Sequence, residues 1–342
     1  MGIRSDLFFC LFLGIWLLFP CSASGQDQGK SRNPEVRMAV EFTDHAACAY
    51  IAKEKNWFED EGLHVSAYEN YMTGMALAAA LARGEISVAC ICLVPAVNAF
   101  ANGKVPIRIV AGTHKHGYGL VVNPAKIKDL HDLAKPAVRI GCVRVGGAAD
   151  MMLQKMMEQY HLDKASILGN VRRMNPPKQV LALRSGQLDA AFLPEQWATM
   201  GEDLGHEMAL RSQDLWPDMQ GSVLVVRKEL IEDHPERVQK LVKVFTKATA
   251  WLNRHRWRAS ILVARHLSAT QMNLLPRKAA VCAENLAITP QIIRQSMDRM
   301  VFTTRISPTG VQDVIAFMSR LGYIRESFQA QDILNLRFLH GE

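Results

Sequence analysis

The stretch that most constrains the fold is VRMAVEFTDHAACAYIAKEKNWFEDEGLHVSA, residues 36–67. The alternation of Val36, Met38 and Val40 predicts a strand. A polar loop follows, Glu41-Phe42-Thr43-Asp44-His45. From Ala46 the chain turns helical, with Ala47, Tyr50, Ile51 and Trp57 spaced to share one buried face. Gly62 supplies the left-handed residue that ends a helix, and Leu63-His64-Val65 opens a second strand. Strand, loop, helix and strand make a βαβ unit. Its first loop lies at the carboxyl end of the first strand, where open parallel sheets bind their ligands.

The rest of the chain repeats this alternation. An alanine-rich helix over 75–83 stops at Gly84, and 86–92 reads as a buried strand. Pro95 starts a helix over 96–101 closed by Gly103, and 105–111 is a further strand. A second α/β pattern begins at Ile127, with strands at 138–143 and 171–174 and helices at 148–160 and 179–184. Residues 80–89 (ALARGEISVA) and 182–191 (ALRSGQLDAA) match in pattern, each a glycine-stopped helix, a short strand and then a proline-bearing loop at Pro95 or Pro194. Such a duplication predicts two similar lobes rather than one large sheet. Residues 221–226 form the last expected strand, and 238–251, 257–266, 291–300 and 311–321 read as helices. The expected organisation is α/β: two doubly wound sheets joined by two crossing segments near 117–123 and 221–228, with a helical C-terminal tail packed on the first lobe. Lobe 1 takes 34–120 and 228–342, and lobe 2 takes 121–227.

With 49% hydrophobic and 21% charged residues, the 342-residue chain is globular. Its net charge of +7 is spread along the chain without the basic runs of a nucleic-acid arm, so no nucleic-acid partner is expected. Arg4, the apolar run 7–19 and the small residues Ser22-Ala23-Ser24-Gly25 read as a signal peptide over 1–25. Export to the periplasm follows. Lipid anchoring at Cys21 is disfavoured, because Phe19-Pro20 is a poor match to the small residues that precede a lipidated cysteine. No later segment reads as membrane-spanning. Cys10 and Cys21 leave with the leader. Cys48, Cys90, Cys92, Cys142 and Cys282 remain, an odd number without framework spacing, and are expected to be mostly buried small hydrophobes.

The ordered motifs carry a family resemblance. AKEKNWFEDEGLHV (52–65) is similar to the AxxKGxFxxEGLxV pattern of the nitrate/sulfonate/taurine-type substrate-binding proteins of ABC transporters, a group that includes thiamine-pyrimidine binders. LARGEI (81–86), Asp129-Leu130 with Asp132-Leu133, GQLDA (186–190) and PEQW (194–197) also match, so the resemblance covers roughly 36–267. Two departures stand out: Ser87 where the family usually has Asp, and Asn56 where it has Gly. The resemblance implies the two-lobe periplasmic-binding-protein type II fold, a small-molecule ligand, an ABC permease as partner, a monomer, no cofactor and no catalysis. The mechanism it implies is hinge closure, in which contacts from both lobes stabilise the closed state.

Family analogy puts the ligand contacts on loops after strands: Thr43, Asp44, His45, Tyr71, Thr73, Gly74 and Cys92 in the first lobe, and Arg144, Gly146, Gly147, Glu195 and Trp197 in the second. The physical argument is clearest at 144–148. Two glycines admit a ligand close to the backbone, the following helix N-terminus offers free N–H groups, and Arg144 adds a bidentate donor. A sulfonate- or nitrate-type oxyanion is therefore the favoured ligand. The alternative is a pyrimidine-like ring held by His45, Tyr71 and Trp197. A different class of protein would gather His45, Cys48, Cys90, Cys92, His114 and His116 around a metal, but Cys90-Ile91-Cys92 on a strand lacks the CxxC turn, so no metal is expected. His114 and His116 read as a solvated hinge loop. No HExxH, GxSxG, P-loop or paired carboxylate loop points to an enzyme.

Overall fold

The structure, a computed structural model, describes residues 36–274 and 286–339; the leader and Cys282 lie outside them. The described residues all fall within one compact unit. Two sheets organise it. The first contains β1 (Val36–Glu41), β2 (Val65–Tyr71), β3 (Val88–Cys92) and β4 (Ile107–Lys115). The second is built from β5 (Tyr118–Val122), β6 (Ile140–Cys142), β7 (Val171–Arg173), β8 (Ala190–Pro194) and β9 (Glu207–Arg211). The chain then returns to the first sheet with β10 (Gln220–Arg227) and, late in the tail, β11 (Val301–Phe302). The first sheet runs β11-β4-β10-β3-β1-β2 and the second β7-β6-β8-β5-β9. In the first, β1 pairs in parallel with β2 and β3; in the second, β6 pairs in parallel with β7 and β8. Each βαβ pair thus opens its strand-to-helix loops on one edge, and the crossings join the sheets there.

The α/β fold with two crossed, doubly wound sheets and a helical tail is the expected one. β10, however, is a central strand of the first sheet, paired with β3 and β4. The second crossing therefore falls at 216–219 instead of 221–228. Its continuous apolar run is what a strand buried on both faces needs. The short strands β9 and β11 were not legible: β9 buries only Leu210 of its five residues, and β11 is two residues long inside a helical tail. The helices Pro235–Arg254 and Arg256–Leu274 pack against the first βαβ helix, whereas Pro290–Asp298 packs on the helix Glu195–Asp203, which follows β8 of the second sheet.

The family departures have local causes. Asn56 sits at φ 54°, the left-handed region that glycine visits freely and asparagine tolerates better than most residues. Ser87 occupies the place that Asp189 takes in the duplicated unit. In both copies the backbone N–H donates to an arginine carbonyl at 2.8 Å, Arg37 for Ser87 and Arg139 for Asp189. In the second copy the Asp189 side chain, 1% exposed, also accepts from the Arg139 backbone at 2.9 Å, its guanidinium at 3.1 Å and Lys126 at 2.6 Å. In the first copy the serine hydroxyl makes the corresponding backbone link, accepting from the Arg37 N–H at 3.2 Å.

Burial alone would raise the Asp189 carboxyl, but the hydrogen bonds from Arg139 and Lys126 outweigh it and hold it below the usual range. Its contribution to stability is therefore complete above the ordinary carboxylate range and disappears as pH falls through the lowered value. Asp189→Asn is expected to cost about 1–3 kcal/mol at neutral pH and to flatten the acid limb of the stability curve. Urea midpoints measured from neutral to acid pH check both; a variant parallel to the wild type at every pH would refute the assignment.

Candidate functional site

The strand-to-helix loops of both sheets enclose a cleft of about 650 Å³. From the first sheet come Glu41 to Thr43, Met72 to Ala76, Cys92 and Pro95; from the second come Tyr118, Val143 to Val145, Gly147 to Ala149, Arg173 to Pro176, Pro194 and Trp197. Apart from Tyr118, which opens β5, each segment is there because a strand ends and a helix begins. Cys92 is the last residue of β3, and the helix Leu93–Ala101 starts at once. Thr73 caps the helix Gly74–Ala82 by accepting from the Ala76 N–H at 3.3 Å. Gly74 is required by space: a Cβ there would collide with the Glu41 carboxylate and would stand 2.6 Å from the Pro95 ring.

Seven of the twelve sequence-assigned residues line this cleft: Thr43, Thr73, Gly74, Cys92, Arg144, Gly147 and Trp197. The other five stand behind it or beside it. The Gly146 N–H donates to Asp150 at 3.1 Å, fixing the turn that presents Arg144. Tyr71 ends β2, with its hydroxyl on Glu69 at 2.8 Å. Asp44 is buried under the loop; its N–H donates to the Gln196 side chain at 2.9 Å, and its carboxylate accepts from Ser296 at 2.5 Å. Burial pushes the Asp44 carboxyl up to about 7. Glu195 is buried with Arg299, 3.2 Å away. His45 lies behind the floor, its Nε2 donating to the Gly117 carbonyl at 2.8 Å. Burial lowers the His45 imidazole to about 4, so it is neutral at physiological pH. The trio His45, Tyr71 and Trp197 is thus not gathered around one space; only Trp197 reaches the cleft.

His114 and His116 do not form a solvated loop. His114 is a fully buried residue of β4, 4.4 Å ring to ring from His45, and His116 is buried at the first crossing with φ 65°. Crossing strands crowd this point. A Cβ on Gly117, itself at φ 100°, would stand 2.7 Å from the His45 ring nitrogen. Alternating histidines beside a glycine look like a loop in sequence because periodicity cannot report which neighbours cover them.

Sequence reasoning missed Glu41, Tyr118 and Arg173. Glu41 ends β1 and is buried on the cleft floor, accepting from the Cys92 N–H at 2.7 Å and its thiol at 3.3 Å. Burial pushes its carboxyl up, against those two hydrogen bonds. Tyr118 opens β5 and brings its hydroxyl within 2.6 Å of the Cys92 sulfur. Arg173 ends β7, pairs with the buried Asp150 at 2.5 Å and donates to the Val143 carbonyl at 2.7 Å. For Glu41 and Arg173 the signal was a polar residue at the carboxyl end of a strand, a position that topology makes special; Tyr118, the first residue of β5, gave no such signal. Cys48, Cys90, Cys92 and Cys142 are free and buried, as small apolar residues would be.

The electrostatic layout is therefore asymmetric. The first-sheet side presents a carboxylate and a thiol, which the Tyr118 phenol meets from β5; the second-sheet side also presents two guanidiniums and the N-terminus of the helix Ala148–Gln159. Arg173 is committed to Asp150, whereas Arg144 is exposed and its guanidinium has no protein partner among the described residues. Among those residues, no helix is long and apolar enough to cross a membrane.

Residues 29–265 match the model of the NMT1-like family, and the chain belongs to that family. It is 26% identical over 253 residues to the "Putative aliphatic sulfonates-binding protein" of Bacillus subtilis, covering 70% of this chain and 72% of that one. It is 23% identical over 247 residues to the nitrate import ATP-binding protein NrtC of Synechocystis, covering 67% of this chain but spanning only 37% of that longer protein. Among solved structures, the alkanesulfonate-binding protein SsuA of Xanthomonas axonopodis pv. citri superposes with a TM-score of 0.70 at 15% identity, over 88% of this chain and 98% of that one. The nitrate-binding protein NrtA of Synechocystis gives a TM-score of 0.71 at 14% identity, over 89% and 87%. The fold is that of these periplasmic binding proteins.

Proposed function

We propose that the chain is an extracytoplasmic solute-binding protein that captures a small oxyanion, of the sulfonate or nitrate class, and presents its closed form to an ABC importer. The observation that carries this reading is the unpaired Arg144 guanidinium beside the glycine turn and helix N-terminus at 146–149, in a cleft lined from both sheets. A guanidinium supplies two parallel donors to a planar or tetrahedral oxyanion, and the first N–H groups of a helix lack internal partners. The names of the relatives, sulfonate and nitrate binders, favour the same class. We further propose two lobes meeting at the crossings near 116–117 and 216–219, working as a monomer. Val145, an apolar residue 58% exposed at the rim, is the kind of surface that closure covers. Binding and closure are the whole task, so no catalytic step is assigned.

The test is ligand-dependent thermal stabilisation of the purified chain with alkanesulfonates, taurine and nitrate. A site-specific ligand at a hundredfold excess over its Kd stabilises by about 2.7 kcal/mol. Arg144→Ala removes a charge-assisted hydrogen-bonding group valued at about 1.5–3 kcal/mol, so the Kd should rise at least tenfold while the ligand-free midpoint stays put. An oxyanion Kd indifferent to Arg144 would sink this reading.

A further inference from the structure

One feature of the cleft sits badly with an anion: the Glu41 carboxylate on its floor. A ligand oxyanion and an ionised Glu41 repel, and both together in a largely apolar cleft are costly. What surrounds Glu41 suggests a resolution. A carboxylate oxygen, a ring nitrogen of His45 and the Cys92 sulfur all lie within 4.8 Å of one another, and all three residues are buried. The His45 geometry is decided by chemistry. Its Nε2 faces the Gly117 carbonyl, which can only accept, so Nε2 carries the proton and Nδ1 keeps its lone pair. That lone pair is aimed at the Cys92 sulfur, 3.8 Å away.

We propose that Glu41, His45 and Cys92 form a binding site for a divalent ion of zinc-like preference, with its remaining coordination position turned into the cleft. A tetrahedral ion about 2.3 Å from sulfur and about 2.0–2.1 Å from nitrogen or oxygen spaces its ligands about 3.5 Å apart. The observed separations, 3.8 Å from sulfur to Nδ1 and 3.3 Å from sulfur to the Glu41 oxygen, bracket that value. The mixed nitrogen, oxygen and thiolate set suits zinc or cobalt rather than calcium or magnesium.

The supporting residues are those a metal site needs. A ligating imidazole commonly donates its other N–H to a backbone carbonyl, as His45 does to Gly117. The Cys92 N–H holds one Glu41 oxygen at 2.7 Å and leaves the other facing the sulfur. The hydroxyls of Tyr118, at 2.6 Å, and Ser222, at 3.4 Å, are placed to donate to a Cys92 thiolate. Binding displaces the thiol proton to solvent, and one carboxylate plus one thiolate then neutralise a divalent ion. Glu41, Cys92 and Tyr118 border the cleft while His45 lies behind it, so the open position faces the ligand space. If the oxyanion reading above holds, an anion oxygen fills that position and the misplaced carboxylate becomes part of the anion site.

The experiment is titration of the chelator-treated, full-length mature chain with Zn²⁺ and, separately, with Co²⁺. One equivalent of either ion should bind, and the cobalt form should show the near-ultraviolet charge-transfer absorption of a thiolate ligand. Cys92→Ser should abolish that band and weaken Zn²⁺ binding at least tenfold, Glu41→Gln should weaken it without removing the band, and Cys90→Ala should leave both intact. Failure of the wild-type chain to bind one equivalent, a cobalt spectrum without the thiolate band, or a band that follows Cys90 instead of Cys92 overturns the site whether or not any variant folds. The two readings separate cleanly. An oxyanion that binds through Arg144 with no metal bound defeats this site alone, and a metal bound with no oxyanion affinity defeats the oxyanion reading alone.

Discussion

Arg299→Ala is expected to destabilise the protein by about 3–5 kcal/mol, the cost of stranding a buried charge by removing its partner. The Arg299 side chain is 12% exposed and holds Glu195, 0% exposed, at 3.2 Å and Glu202 at 2.5 Å. The same guanidinium donates to Thr199 at 3.4 Å. Burial already pushes the Glu195 carboxyl up, Arg299 pulls it down, and the charge of Glu195 in turn raises Asp44. Without the arginine, two buried acids and one partly buried acid share a site with no cation at its centre. Arg299 follows the helix Pro290–Asp298 and grips the helix Glu195–Asp203, so the loss also loosens the tail from the helix after β8.

The sign of the pH effect is fixed. With Arg299 gone the folded-state pKa of Glu195 rises further above its unfolded value, so stability falls as pH climbs through that window. The defect should be smaller in mild acid than in mild alkali. Arg299→Lys keeps the charge without the planar fork and should fall between. Urea midpoints at two pH values decide the matter; a loss below about 1 kcal/mol, ordinary for an exposed ion pair, would show that the cluster is solvated.

The architecture was legible because it rests on local pattern. Strand alternation, glycine stops and the duplicated 80–89 and 182–191 units follow from backbone geometry and burial, which period and composition report directly. The duplication even extends to side chains, with Arg37 and Ser87 in one copy answering Arg139 and Asp189 in the other. The assignment of β10 failed for a related reason: a strand buried on both faces has the same pattern in either sheet, and only pairing decides where it goes.

Side-chain roles were less legible. Thr73, Gly74, Arg144 and Gly147 reach the cleft because loops after strands must point there. Asp44, His45 and Glu195 belong to the same loops but turn inward, toward Ser296, Gly117 and Arg299, which lie far away in sequence. Glu41 was passed over because one acidic residue after a strand resembles any loop opening. Its meaning comes from Cys92, fifty-one residues later, which supplies both hydrogen bonds to its carboxylate. Long-range partners of that kind are set by the fold and leave no periodic trace.

Trp197 tests whether cleft wall and core are separate roles at this position. It is 1% exposed, it lines the cleft, and its ring centroid lies 5.8 Å from that of Phe42, on the loop after β1 of the first sheet. Truncation to alanine therefore removes core packing and the ring contact with Phe42 together, and about 3–5 kcal/mol is expected, as for other large aromatic truncations. Trp197→Phe retains an aromatic face toward Phe42 with a smaller void and should cost clearly less. If the ring is also a cleft wall, the two variants part company in binding. The phenylalanine variant, still folded, should favour bulkier ligands over nitrate-sized ones relative to the wild type, because the cleft has gained volume on that side. Denaturation midpoints combined with a ligand series of increasing size read both effects. Unchanged size preference in a stably folded Trp197→Phe would assign the residue to the core alone and leave the cleft's shape to other lining residues such as Met72 and Met174.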